Sequence, residues 1–143
     1  METIKLEEFH HKINLNIRYM DIDSMHHVNN ARYLNFLEEA RIDYSQNVMG
    51  GLENINQLSI VVARIEIDYM KPIFFGEKVI VHNRIVKVGQ KSIHFESIIE
   101  VIGEQHKVAA RAIQILVAID PATGKSTKIT DKVRKKIEKF ENL

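Results

Sequence analysis

One segment of this chain reads as a long helix, and almost everything around it reads as strand. From about Asn29 or Asn30 to Gln46, the residues Tyr33, Leu37, Ala40 and Tyr44 recur at i, i+4, i+7 and i+11. That spacing puts them on one stripe of a helix. Leu34, Phe36 and Ile42 fall off the stripe, so the helix is apolar on more than one side and needs cover on more than one side. Gly50 and Gly51 supply its stop. A chain with a single helix of this kind has few ways to bury it.

The strands supply the cover. Lys12 to Tyr19 alternates Ile13, Leu15, Ile17 and Tyr19 with polar residues, which is the period of a half-buried strand. Leu58 to Tyr69 alternates Val61, Ala63, Ile65, Ile67 and Tyr69 with Val62, Arg64, Glu66 and Asp68. Pro72 and Gly76 mark a connection, and Lys78 to Val88 resumes the sheet. After a turn at Gly89 and Gln90, Lys91 to Val101 keeps Ile93, Phe95, Ser97, Ile99 and Val101 on one side. Gly103 to Gln105 turns again. Lys107 to Ile119 is rich in Val, Ile and Ala, as suits a central strand, and Asp120, Pro121, Thr123 and Gly124 end it. A short helix is expected at about Asp131 to Phe140. Short connections predict that the last four strands are antiparallel neighbours. The packing solution is an α+β hotdog fold in one domain, 1–143, with an antiparallel sheet of about five strands curled around one long helix. Val62, Ile80, Val86 and Ile98 would then alternate outward, which predicts a covering subunit rather than a monomer.

Composition narrows the function. A chain of 143 residues buries about two-thirds of its unfolded surface, so it needs no disulfide or metal to hold it. With no cysteine it has no thiol nucleophile and no thiolate metal site. Net charge is +1 with the signs interleaved, which is no footprint for nucleic acid. No run is apolar enough for a signal peptide or a membrane span, so a cytoplasmic address is expected. Lys132, Arg134, Lys135, Lys136 and Lys139 form a basic tail that reads as a solvated helix face or a phosphate-binding patch.

The polar cluster before the helix carries the chemistry. Asp21, Asp23, His26, His27, Asn29 and Asn30 fall within ten positions, directly at a helix entrance with free N–H groups and partial positive charge. A carboxylate there acts as general base toward water or attacks an acyl carbon, while amides near Asn30 take up charge on a carbonyl oxygen. The alternative is that Asp21 and Asp23 only cap the helix and turn the loop. The adjacent histidines point in different directions, so at most one faces the site. A metal cluster of Asp21, Asp23, His26 and His27 has suitable donors but no recognised ligand spacing, and no metal is expected. Asn29 and Asn30 are candidate N-caps. Glu38 either pairs with Arg41 on the surface or turns toward a pocket. Ser92 has no base beside it, so a serine-hydrolase arrangement has no support.

The run RYMDIDSMHHVNNARYLNFLEEARID resembles the signature of hotdog-fold acyl-CoA thioesterases of the hydroxybenzoyl-CoA thioesterase superfamily. HVNNARYLNFLEEAR is similar to the bacterial long-chain acyl-CoA thioesterase branch, and the likeness runs on through IEIDYMKPIFFGEKVIV and VGQKSIHFE. The resemblance puts the family's catalytic aspartate at Asp23 and its carbonyl-polarising backbone amide at Asn30. Related plant acyl-carrier-protein thioesterases carry D-x-N-x-H-V-N-N here. Asp23 and His27 match that pattern, while Met25 replaces the first asparagine, which leaves Asp23 as the main group and His27 as helper or orienter. Glu38 falls where the family carries an acid near the acyl pocket. Lys91, followed by Ser92, falls where the hydroxybenzoyl branch contacts the CoA nucleotide, although Gly89 and Gln90 replace that branch's arginines. The resemblance implies hydrolysis of an acyl-CoA or acyl-carrier-protein thioester, with no cofactor beyond the CoA of the substrate, in a homodimer or homotetramer with sites at the subunit interface. A non-catalytic acyl-thioester binding module is the remaining alternative.

Overall fold

The computed structural model describes residues 3–50, 59–103 and 106–143. The alternating segments form β1 (His11–Asn16), β2 (Ser59–Tyr69), β3 (Lys78–Val88), β4 (Ser92–Ile102) and β5 (His106–Ile119), with the helices α1 (Asn30–Val48) and α2 (Asp131–Glu141). All strand pairs are antiparallel, in the order β1-β3-β4-β5-β2, and the sheet wraps α1 as the hotdog reading requires. Gly50 adopts a positive φ of 97° just past the end of α1, a conformation glycine takes at no steric cost. The expected second stop at Gly51, the strand start at Leu58 and the turn residues 104 and 105 lie outside the described residues.

Three expectations are corrected. First, β2 and β3 are not neighbours: β2 is an edge strand beside β5, and β3 lies between β1 and β4. Their connection buries Ile73 completely in the core, and a side chain anchored there carries the segment across the end of the sheet instead of folding it back as a hairpin. Second, β1 stops at Asn16, and residues 19–21 make a single 3₁₀ turn that leaves Tyr19 exposed. The Asp21 carboxylate accepts the Arg18 amide at 2.9 Å and pulls the chain out of the strand. Third, an irregularity between Val62 and Arg64 shifts the register of β2 against β5. Ile65 and Ile67 then pack inward on one side of it and Ile60 on the other, while Val61 stays exposed.

The stripe read from the sequence, Tyr33, Leu37, Ala40 and Tyr44, is buried, and Phe36, read as lying off it, and Val48 are buried with it. Leu34 and Ile42 remain exposed, so the sheet covers α1 on fewer sides than its apolar content suggested. The core has two parts. One surrounds Leu37 with Val79, Ile99 and Ala110; the other surrounds Tyr44 with Phe95, Leu116, Val133 and Ile137. Helix α2 closes the second part. Its Glu141 accepts the Tyr44 hydroxyl at 2.5 Å and the Ile85 amide at 3.0 Å, which ties α2 to α1 and β3 at once. Burial and the Glu141 carboxylate together push the Tyr44 hydroxyl far above its usual range.

On the outer face Val62 and Val86 are exposed and Ile80 is half-buried, as the alternation predicted. Ile98 is instead fully buried, between its register partners His82 and Arg111. The N-terminal segment folds over this region: Phe9 meets the His82 ring edge-on at 6.4 Å, and the Arg84 guanidinium lies 4.5 Å over the Phe9 ring. Leu37 is the test of the helix–sheet contact. Leu37→Ala is expected to cost about 3 kcal/mol in denaturant unfolding, because the closed bed around it cannot collapse into the space left.

Candidate active site

Asp21 and Asp23 stand two residues apart and have different surroundings. Asp21 is fully buried. Its carboxylate accepts the Arg18 guanidinium at 3.0 Å and faces the Arg32 guanidinium at 3.9 Å, while its carbonyl accepts the Asn29 amide at 2.9 Å. Burial works to raise the Asp21 carboxyl, but the Arg18 hydrogen bonds and the charges of Arg18 and Arg32 outweigh it and hold the group below its ordinary range. Asp21 therefore fastens the loop to the first turn of α1.

Asp23 is only half-buried, in a loop closed by the bridge between Ile22 and Val28. The Asp23 amide donates to the His27 carbonyl at 3.0 Å, and the His26 amide donates back to the Asp23 carbonyl at 3.0 Å. This tight turn holds His26 at φ 67°, in the left-handed region that side chains disfavour. Asp23 Oδ1 accepts the Met25 amide at 2.8 Å, and Oδ2 accepts no donor among the described residues. His27 Nδ1 lies 4.0 Å from Asp23 Oδ1, and its ring meets Phe74 edge-on at 6.4 Å. His26 is exposed, and among the described residues its side chain bonds neither Asp21 nor Asp23. The two histidines thus diverge as expected, and His27 is the one beside Asp23.

The helix entrance completes the arrangement. Asn29 is the N-cap, and its side chain accepts the Ala31 amide at 2.9 Å. Asn30 is the first helical residue, and its amide donates to no acceptor among the described residues. The opposite side of the same peptide region is pinned, because the Tyr69 hydroxyl donates to the Asn30 carbonyl at 3.2 Å. Tyr69 also stacks edge-on against Tyr33 at 4.9 Å, and burial together with Tyr69 and Glu77 pushes the Tyr33 hydroxyl up to about 12. A partly open carboxylate, a histidine within reach and an unoccupied amide at a helix N-terminus form a set that can activate water and receive charge on an oxygen.

The other site residues read from the sequence do not join this set within one chain. Glu38 is exposed, which corrects the buried alternative. It lines a cleft of about 300 Å³ with Arg18, Asp21, Arg32 and Phe36, and Arg41 bonds Gln114 instead of pairing with it. Lys91 and Ser92 lie at the opposite end of the sheet: β3 runs its eleven residues, roughly 35 Å, between the end near Asp23 and the turn before Lys91. Lys91 is exposed there, and the Ser92 hydroxyl sits against Gly89. In the basic tail, Arg134 is not a solvated charge, since its guanidinium donates to the Val88 and Gly89 carbonyls at 3.2 and 2.6 Å. Among the described residues no three His, Cys, Asp or Glu side chains gather as a metal site.

Tyr69, Phe74, Arg18 and Arg32 belong to the site's frame with Asp21, and the sequence reading gives none of these four a role there. Tyr69 and Phe74 arrive from segments 39 or more residues away, so no local spacing announces them. Arg18 does carry a signal, because it stands three residues before Asp21 where the strand pattern stops.

The sequence matches the model of the thioesterase-like superfamily over residues 17–137. It is similar to the long-chain acyl-CoA thioesterase FadM of Escherichia coli strain K12, with 31% identity over 134 residues, 88% of this chain and 96% of that protein. Among solved structures it is similar to a Thermus thermophilus thioesterase complexed with coenzyme A and Zn, at a TM-score of 0.84 and 31% identity over 96% of this chain and 98% of that one. The Escherichia coli protein YbaW, a probable thioesterase, gives a TM-score of 0.79 and 29% identity over 90% of this chain and 97% of that one.

Asp21→Asn provides a test of the frame. A carboxyl held below its ordinary range stabilises the fold above the unfolded value of about 3.9, and that contribution is lost as pH falls through the lower folded value. The variant is expected to melt at a lower temperature at pH 7, with the gap to the parent closing as pH drops below about 4. Thermal melts across pH measure this directly.

Proposed function

The chain belongs to the thioesterase-like superfamily and is a thioester hydrolase, and from that premise we propose that it hydrolyses acyl-CoA thioesters with Asp23 as the group that attacks or activates water. The observation that carries this reading is an Asp23 Oδ2 with no donor and an Asn30 amide with no acceptor among the described residues, in a chain 31% identical to a long-chain acyl-CoA thioesterase. The thioester carbonyl would lie against the helix entrance, where the Asn30 amide receives the charge that develops on oxygen. Asp23 either removes a proton from the attacking water or adds to the acyl carbon, giving an anhydride that water then opens. His27 orients Asp23 or passes a proton to the departing thiolate. No cofactor takes part in this scheme. Glu38, on the rim of the cleft, would face the acyl side of the substrate.

The nucleotide end of CoA is assigned to Lys91 and Ser92 of a partner subunit. Strand β2 is an edge of eleven residues, paired among the described residues with β5 alone. Pairing two such edges about a two-fold axis reverses one sheet against the other, so the partner subunit's Lys91 end comes beside this chain's Asp23 end. A homodimer, or a homotetramer built from it, is therefore part of the proposal. An acyl-carrier-protein thioester is the second reading, supported by the exposed lysines 132, 135 and 139 on the outer side of α2. A free-thiol assay over a panel of acyl-CoAs and acyl carrier proteins separates the two.

Asp23→Asn keeps shape and hydrogen bonding but removes basicity, and is expected to lower turnover by about a hundredfold or more with an unchanged melting temperature. Asp21→Asn, measured below its own melting range, should lose far less. Near-normal turnover in Asp23→Asn would move the chemistry to another residue. Lys91→Ala is expected to raise KM for acyl-CoA more than it lowers kcat, because a remote phosphate contact binds ground and transition states alike. Co-expressing Asp23→Asn and Lys91→Ala chains should restore activity, since a mixed dimer then holds one site with both residues intact. Activity no greater than that of the two parents combined would refute the shared site.

A further inference from the structure

Beneath the middle of α1, at positions that strand alternation reserves for apolar side chains, stand Asn83, Ser97 and Gln114, each fully buried. They form one continuous chain of hydrogen bonds with residues at either end. Arg41 donates to Gln114 Oε1 at 2.5 Å, Gln114 Nε2 donates to Ser97 Oγ at 3.1 Å, and Ser97 donates to Asn83 Oδ1 at 2.7 Å. Asn83 Nδ2 then meets His11 Nδ1 at 3.1 Å, and His11 Nε2 meets Asp43 Oδ1 at 2.7 Å. The chain starts and ends on α1, and passes through β5, β4, β3 and β1 between.

We infer that this relay is a positioning device for the active site, with Gln114, Ser97, Asn83 and His11 acting through α1 on the Asn30 amide. The inference rests on the reading of that amide as the acceptor of oxyanion charge. Arg41 and Asp43 project about 200° apart around the helix axis, because each residue advances about 100°. The relay therefore grips both flanks of the helix and passes under it. Rolling α1 in either direction stretches one end of the relay, and sliding it stretches both. The first turn of a rigid helix follows any such movement, so the relay sets where the Asn30 amide stands relative to Asp23. Apolar side chains at the three buried positions would fill the same space without specifying that rotation, whereas a fully satisfied polar network admits one arrangement.

The relay also has a direction. A guanidinium can only donate and a carboxylate can only accept. Arg41 therefore turns the Gln114 carbonyl toward itself, Gln114 offers its NH₂ to Ser97, and the order carries through Asn83 to His11. His11 must accept at Nδ1 and carry its proton on Nε2, facing Asp43. Both ends impose the same order, and reversing it would aim an amide NH₂ at the guanidinium.

Side-chain 15N NMR of the full protein reads this directly. The expected wild-type signature is a neutral His11 protonated at Nε2; a proton on Nδ1 overturns the relay's direction and with it the inference. Gln114→Glu keeps the shape but removes the donor to Ser97. Ser97 then donates to the new carboxylate and leaves Asn83 Oδ1 without its donor, while the Val81 carbonyl still holds the Asn83 amide at 3.1 Å and Asp43 still holds the His11 proton on Nε2; the relay is broken between Ser97 and Asn83. In that variant kcat is expected to fall about tenfold or more with KM little changed, as displacement of a catalytic group requires. Turnover equal to that of the parent in a folded Gln114→Glu protein overturns the positioning role. If Gln114→Glu does not fold, Asn83→Asp asks the same question one link along, with the same two outcomes. The NMR result stands whatever Asp23→Asn does, so failure of the catalytic assignment and failure of the relay are distinguishable.

Discussion

Burying one helix of nineteen residues in a single sheet sets the terms for this molecule. A helix presents an apolar stripe and two flanks, and a flat sheet covers only the stripe. Curling the sheet brings β1 and β5 up against the flanks, where His11 and Gln114 meet Asp43 and Arg41. Leu37, Ala40 and Tyr44 have no exposure left. Hydrophobic contact supplies most of the stabilisation but is nearly indifferent to rotation of the helix. The polar side chains between the two apolar clusters supply the orientation that the clusters do not.

The same division of labour recurs at the start of the helix. Asp21 is buried, doubly ion-paired and committed to holding loop and helix together. Asp23, two residues on, is relieved of that duty and keeps one carboxylate oxygen with no donor among the described residues. The tight turn at Asp23 to His26 carries backbone strain at φ 67°, and its cost is borne by the Asp21 cluster and the Ile22–Val28 bridge on either side. Removing Asp21 would loosen what positions Asp23, which is why its effect belongs to stability before it belongs to chemistry.

A single chain holds its candidate catalytic groups at one end of the sheet and its candidate nucleotide contact at the other. The separation of roughly 35 Å along β3 exceeds what one loop movement could close. The proposed two-fold pairing through the β2 edge would close it with no movement. In that proposal assembly is linked to substrate binding, because the site is completed where two chains meet.

Much of this was legible in the chain. The stripe Tyr33, Leu37, Ala40 and Tyr44 and the alternation of β3, β4 and β5 follow from local periodicity, and five strands around one helix follow from what those elements must bury. The DxD and HVNN run, with a helix behind it, marked Asp23, His27 and Asn30 as one local group, because residues this close along the chain have few ways to separate. Sequence favoured Asp23 over Asp21 without showing what surrounds either; Arg18 and Arg32 give the physical difference by pairing with only one of them. It also misplaced β2, since a short connection predicts a hairpin and only the burial of Ile73 decides otherwise. Ser97 stood among the inward residues of its strand as a polar exception without a reason. The reason lies in Asn83 and Gln114, which bond it from the two neighbouring strands, and in His11, which bonds Asn83 from a third. Local pattern determines which face a side chain takes, but which distant partner waits there is decided only when the sheet closes.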